Sequence, residues 1–212
     1  MGKTLDLGQR LEIHSLDRHC QSISIGLYGQ RGVEGAEFLV HTYSAFPGAS
    51  ERIAFVRRAM EVLLGLAPVE GRPEWLRFPC GSEHTRAIKR AFLDVCRLPS
   101  DDALRPLPLS QLDKKAGVAL TATARDGGAY RIVTEEENDA TSGRTTALAR
   151  GFVKVCEMEM VDESAREIRF PCGMGHGALL GFLMFRAQNV RGLMQELEAS
   201  QARGMLAPPS QQ

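Results

Sequence analysis

The chain repeats itself. Residues 77–84 read RFPCGSEH and residues 169–176 read RFPCGMGH, six identities in one short window at an offset of 92 residues. The same ungapped offset aligns Gly35 with Gly127, Thr42 with Thr134, Ser50 with Ser142, Arg52 with Arg144, Arg58 with Arg150 and Val69 with Val161. Self-similarity at one fixed period constrains a fold strongly, because each copy must find the same local structure and bury the same apolar face. The expected architecture is α+β, an internal duplication of two ββαβα modules related by a pseudo-two-fold axis.

The elements follow from local pattern. Residues 20–29 and 36–44 are strand-like, as are 117–124 and 129–134, where Asp126-Gly127 between them signals a hairpin. A helix follows in each copy, with Ser50 and Ser142 as candidate N-caps. Its apolar stripe is Ile53, Val56, Met60, Leu63 and Leu64 in the first copy, and Leu148, Phe152, Val155 and Cys156 in the second. Phe78 and Phe170 each precede a proline, which disfavours helix and predicts an extended approach to the signature. Gly81 and Gly173 permit a tight turn, and a second helix is expected to start near His84 and His176. In the first copy that helix is amphipathic. In the second, residues 178–185 are apolar nearly all round, and Gly173, Gly177 and Gly181 suggest close backbone packing. These readings divide the chain into a first module at 1–98, a Pro-rich linker at 99–111, a second module at 112–205 and a disordered tail at 206–212.

Charge and hydropathy narrow the function. Twenty-six basic residues balance 26 acidic ones, so bulk charge recruits neither nucleic acid nor an anionic membrane. The longest apolar run is too short to span a bilayer, and Met1 to Asp6 carries no apolar signal region. The five cysteines are odd in number and sparse. Reduced thiols in a cytoplasmic protein are the expectation. No phosphate loop, nucleophile elbow or zinc-protease helix occurs, and no cofactor is expected.

The signature carries the chemistry. A cysteine between a strand end and a helix start has unpaired amides and a helix dipole to stabilise its thiolate. A histidine four residues on can serve as its base if both lie on one helix face. Cys80, His84, Cys172 and His176 are therefore the candidate catalytic residues. Arg77 and Arg169, three residues before each cysteine, could bind a substrate carboxylate. Arg52 and Arg144, placed just past the candidate N-caps, oppose the helix dipole in both copies and are read as further anion-binding candidates. The chain then reads as a cytoplasmic thiol-dependent enzyme acting on a small anionic molecule, with homo-oligomerisation left open. The alternative is a non-catalytic binding or assembly domain with a structural turn. In that case Cys80, His84, Cys172 and His176 make a Cys₂His₂ set of the kind zinc favours.

Pro79-Cys80-Gly81-Ser82-Glu83-His84 also resembles the Pro-Cys-Asn-Thr-Ala-His loop of aspartate and glutamate racemases at Pro79, Cys80 and His84. The resemblance implies two cysteines from pseudo-symmetric halves acting as acid and base on one α-carbon. The expected ββαβα order departs from the parallel α/β halves of that family, so the likeness is a chemical precedent and not homology.

Overall fold

A computed structural model describes residues 7–14, 23–30, 35–43, 45–105, 109, 118–123 and 128–185. The Asp126-Gly127 turn, most of the Pro-rich linker and the tail lie outside these residues. The mixed α+β class is as expected, and both sheets are antiparallel. Among the described residues no helix is long and apolar enough to cross a membrane.

The first sheet has the order β1-β2-β3-β5-β4, from β1 (Leu7–His14), β2 (Ile23–Gln30), β3 (Ala36–Thr42), β4 (Ala67–Val69) and β5 (Arg72–Arg77). Period-two alternation sets its buried face: Ala36, Phe38 and Val40 are buried while Glu37, Leu39 and His41 are half-exposed. Helix α1 (Ala49–Leu64) packs on β3 and β5 through Val56, Ala59, Met60, Leu63 and Leu64. It ends at Gly65, whose φ of 72° is left-handed and whose N–H bonds back to the Glu61 carbonyl at 3.1 Å. Helix α2 (Thr85–Cys96) presents Ala87, Ile88, Ala91, Phe92 and Val95 to the core and packs against α1.

The second sheet has the order β6-β7-β9-β8, from β6 (Val118–Ala122), β7 (Ala129–Thr134), β8 (Glu159–Asp162) and β9 (Glu167–Arg169). Helix α3 (Asp139–Cys156) covers β7, β8 and β9, with Leu148, Phe152, Val155 and Cys156 buried as the stripe predicts. Helix α4 (Gly177–Phe185) is the apolar segment. The molecule divides into two compact units. The first takes in β1 to α2 together with His176–Leu183, and the second holds β6 to β9 with the turn that ends at Gly175. Leu179, Leu180 and Leu183, fully buried, therefore belong to the first unit's core although they follow the second signature in sequence.

Three expectations need correction. Each copy contains a hairpin where one strand was expected, β4 with β5 and β8 with β9, and the first unit has a further strand, β1, ahead of the expected pair, so the order is βββαββα in the first copy and ββαββα in the second. Strands of three or four residues, one containing Pro68, are too short to show alternation in sequence. The helices also begin earlier than the serines suggest. Helix α1 is preceded by Gly48, and α3 by Asn138, which forms a capping box with Thr141 at 2.9 and 3.0 Å. Ser50 and Ser142 thus lie inside the helices. Finally, a side chain at Gly173 would meet nothing within 4 Å, so that glycine serves its left-handed φ of 73° and not close packing. The tight approach lies at Gly128, where a Cβ would fall 2.6 Å from the Gly173 carbonyl oxygen.

Candidate metal centre

The signature is a turn followed by a helix cap. In Phe78-Pro79-Cys80-Gly81 the Gly81 N–H donates to the Phe78 carbonyl at 2.9 Å, and in Phe170-Pro171-Cys172-Gly173 the matching bond is 3.0 Å. Proline at the second position supplies the φ such a turn needs, and glycine at the fourth takes the left-handed conformation, with φ of 76° and 73°. Cysteine occupies the third position in both turns. Each histidine then caps a helix: the His84 carbonyl accepts from Ile88 N–H and the His176 carbonyl from Leu180 N–H, both at 2.9 Å. Cysteine and histidine therefore meet across a turn and a cap. The one-face helical pairing expected from their spacing does not occur, because the helix starts only at Thr85 or Gly177.

In the first unit the backbone curls so that Cys80 Sγ stands 3.2 Å from His84 Nε2 and accepts the Ser82 N–H at 3.3 Å. His84 adopts left-handed φ and ψ of 42° and 40°, a conformation that costs a non-glycine residue about 1–2 kcal/mol. His84 Nε2 is 3.0 Å from His176 Nε2. Phe78, fully buried, lies edge-on to both imidazoles at centroid distances of 4.9 and 5.2 Å, and its far side meets Phe38. The signature phenylalanine is thus the platform on which the histidines rest. Only its extended backbone was legible in sequence; the recurrence of Phe before Pro-Cys-Gly was the available signal.

The first unit thus gathers three side chains of metal-ligating type, Cys80, His84 and His176, while Cys172 of the second signature belongs to the second unit. Both histidines are buried and both thiols half-buried. Burial, followed by the charge of neighbouring His176, lowers the pKa of His84 to about 4, and burial lowers that of His176. Both rings are therefore held as neutral imidazole, the form that binds metals. A tetrahedral zinc ion requires nitrogen atoms about 3.3 Å apart, nitrogen and sulfur about 3.6 Å apart and sulfurs about 3.8 Å apart, from its usual bond lengths. The 3.0 and 3.2 Å separations lie within a few tenths of an ångström of that pattern.

The arginines go elsewhere. Arg52 Nη2 donates to the Leu98 carbonyl at 3.0 Å and to the Cys96 carbonyl, tying α1 to the C-terminal end of α2, with its guanidinium over Phe55. That end is about 18 Å along the helix from His84, at 1.5 Å per residue. Arg144 is exposed on α3, five residues past the helix start, where the dipole argument no longer applies. Arg77 and Arg169 are exposed, alternating with buried Leu76 and Phe78 and with buried Ile168 and Phe170. They point away from the face on which Phe78 and Phe170 are buried, and Arg169 pairs with Glu159 at 2.9 Å. Cys96 and Cys156 are fully buried on the helices.

No protein-family model matches the chain, and no curated protein or solved structure matches it. The antiparallel sheets differ from the parallel halves of the racemases that the Cys80 loop resembles.

Proposed function

We propose that this chain is a zinc-stabilised binding or assembly module, in which Cys80, His84, Cys172 and His176 close a tetrahedral Cys₂His₂ site. The approach of three zinc-type ligand atoms in the first unit, Cys80 Sγ, His84 Nε2 and His176 Nε2 at 3.2 and 3.0 Å, carries the reading, and the repeated signature names Cys172 as the fourth ligand. Four protein ligands leave no open position for a water or substrate, which marks a structural site and not a catalytic one. Internal duplication belongs to the same reading. Each signature contributes one thiol and one imidazole, so two half-sites of one design make one closed set, and the ββαββα order shared by β2 to α2 and β6 to α4 supports it.

The thiol-enzyme reading has one observation in its favour, the 3.2 Å contact between Cys80 and His84. A proton carrier works best with a pKa near the operating pH. A His84 pKa near 4 makes the imidazole a weak acceptor of a thiol proton, and of the arginines proposed for the anion Arg52 is held by backbone carbonyls, Arg169 pairs with Glu159, and Arg77 and Arg144 are exposed. The metal reading needs neither a charged histidine nor an anion site.

The test is metal stoichiometry on protein purified under reducing conditions. One zinc per chain is expected, and exchange for cobalt should give the intense visible bands and sulfur-to-metal charge transfer of a tetrahedral S₂N₂ centre. Cys172→Ser and His84→Asn should each weaken both signals. Protein that holds no zinc as purified and takes up no cobalt would defeat the proposal.

A further inference from the structure

We propose that the first sheet carries a metal site of its own, separate from the cysteines, in which Glu12, His14 and His41 bind one divalent transition metal. All three residues belong to the first unit. The strand ladder brings them together. His14 of β1 and His41 of β3 both pair with Ser24 of β2, so the three stand in one row across the sheet. Glu12 pairs with Gly26, one step along that row's face. Residues two apart on a strand share a face. Between Glu12 and His14, Ile13 is buried in the core in register with Ile25 and Val40, on the side that α1 covers. Glu12, His14, Ser24, Gly26 and His41 therefore occupy the opposite face.

Side chains already converge there. Glu12 Oε1 lies 3.1 Å from His41 Nε2, although β2 runs between their strands. Two strand spacings put those backbones about 9.6 Å apart, so both side chains reach inward over the central strand. The two atoms are shielded from solvent, and the side chains are only 16% and 19% exposed. The central strand makes room for them with its smallest residues, Ser24, 1% exposed, and Gly26. A Cβ at Gly26 would fall 2.5 Å from the Tyr28 ring, which folds back over that glycine and walls one side. Tyr43 stands edge-on to the His41 imidazole, with centroids 4.8 Å apart. Metal–ligand bonds of about 2.1 Å place neighbouring donors about 3.0 Å apart in an octahedron and about 3.4 Å apart in a tetrahedron. The 3.1 Å separation falls in that range. Two imidazoles and one carboxylate, with positions left for water, form the donor set of non-haem iron(II) sites and of His₂Glu zinc sites. No thiolate takes part, so this site stands whether or not the cysteines hold zinc.

The experiment uses the intact chain, loaded with zinc under reducing conditions and freed of excess ion. Cobalt(II) is then titrated in, with calorimetry and visible absorption as readouts. One further equivalent is expected, without the sulfur-to-metal charge transfer of a thiolate site. His14→Ala and His41→Ala should each weaken it by at least about tenfold. A readout on the wild-type chain guards against misfolded variants: the paramagnetic shifts of bound cobalt should fall on His14 and His41. No thiolate-free equivalent, undiminished binding in either variant, or shifts confined to residues outside this row would overturn the proposal. A chain that retains no zinc at its cysteines fails the zinc reading alone, and a thiolate-free cobalt equivalent in that chain still supports the Glu12, His14 and His41 site.

Discussion

Removing the metal should destabilise the fold by an amount that tracks free zinc. The Cys80–His84 and His84–His176 donor separations stand within a few tenths of an ångström of tetrahedral spacing, so zinc at the proposed site finds three of its ligands already gathered. A ligand bound only by the native state stabilises it by about 2.7 kcal/mol at a free concentration one hundred times its dissociation constant, and by about 4 kcal/mol at one thousand times. If the chain of 212 residues melts as a single unit, each kcal/mol moves Tm by roughly 2–4 °C, so hundredfold excess predicts a shift of about 5–10 °C. A first unit melting by itself would shift about twice as far, since smaller bodies have smaller unfolding entropies. Calorimetry across zinc buffers would read this directly. Tm should climb steadily with the logarithm of free zinc, and the climb should vanish in His176→Asn. A protein that binds one zinc yet melts at the same temperature with and without chelator would refute the argument that the site stabilises the native fold.

Two further expectations concern groups around the site. Arg52→Ala should lower stability by about 1–3 kcal/mol, because the Cys96 and Leu98 carbonyls lose a charged donor, while zinc stoichiometry stays unchanged; denaturant melts and metal analysis together check it, and intact stability would show that Arg52 is not a structural tie. In the metal-free chain stability should fall with acid through the histidines. The folded pKa of His84 lies below its ordinary value of 6.5, so the unfolded state binds more protons, and the contribution is complete above pH 6.5 and lost as pH falls to about 4. The loss is about 3 kcal/mol at most for His84, at 1.36 kcal/mol per pH unit. His84→Gln should flatten that part of the profile in urea melts at stepped pH, and an unchanged slope would show that the ring is not held neutral by the fold.

Much of this molecule was legible in residue order alone. Alternation in 36–42 and the stripe Ala87, Ile88, Ala91, Phe92, Val95 report burial directly, since strand and helix periods place those residues on one face wherever the element lies. The Pro-Cys-Gly turn was legible too, because proline and glycine carry their own backbone preferences. The four site residues were named from the repeated signature. That His84 meets both Cys80 and His176 was not derivable from spacing. Cysteine and histidine four residues apart suggest one helical face, yet His84 takes a left-handed cap conformation and turns its Nε2 towards both Cys80 and His176. Arg52 and Arg144 looked alike at the same offset, but only contacts 44 and 46 residues away show Arg52 bound to the end of α2. Local periodicity is a property of neighbouring residues and survives in the sequence. Which imidazole faces which, and whether an arginine meets an anion or a carbonyl, depends on packing between segments far apart in the chain, and that is decided only when the core closes around Phe78.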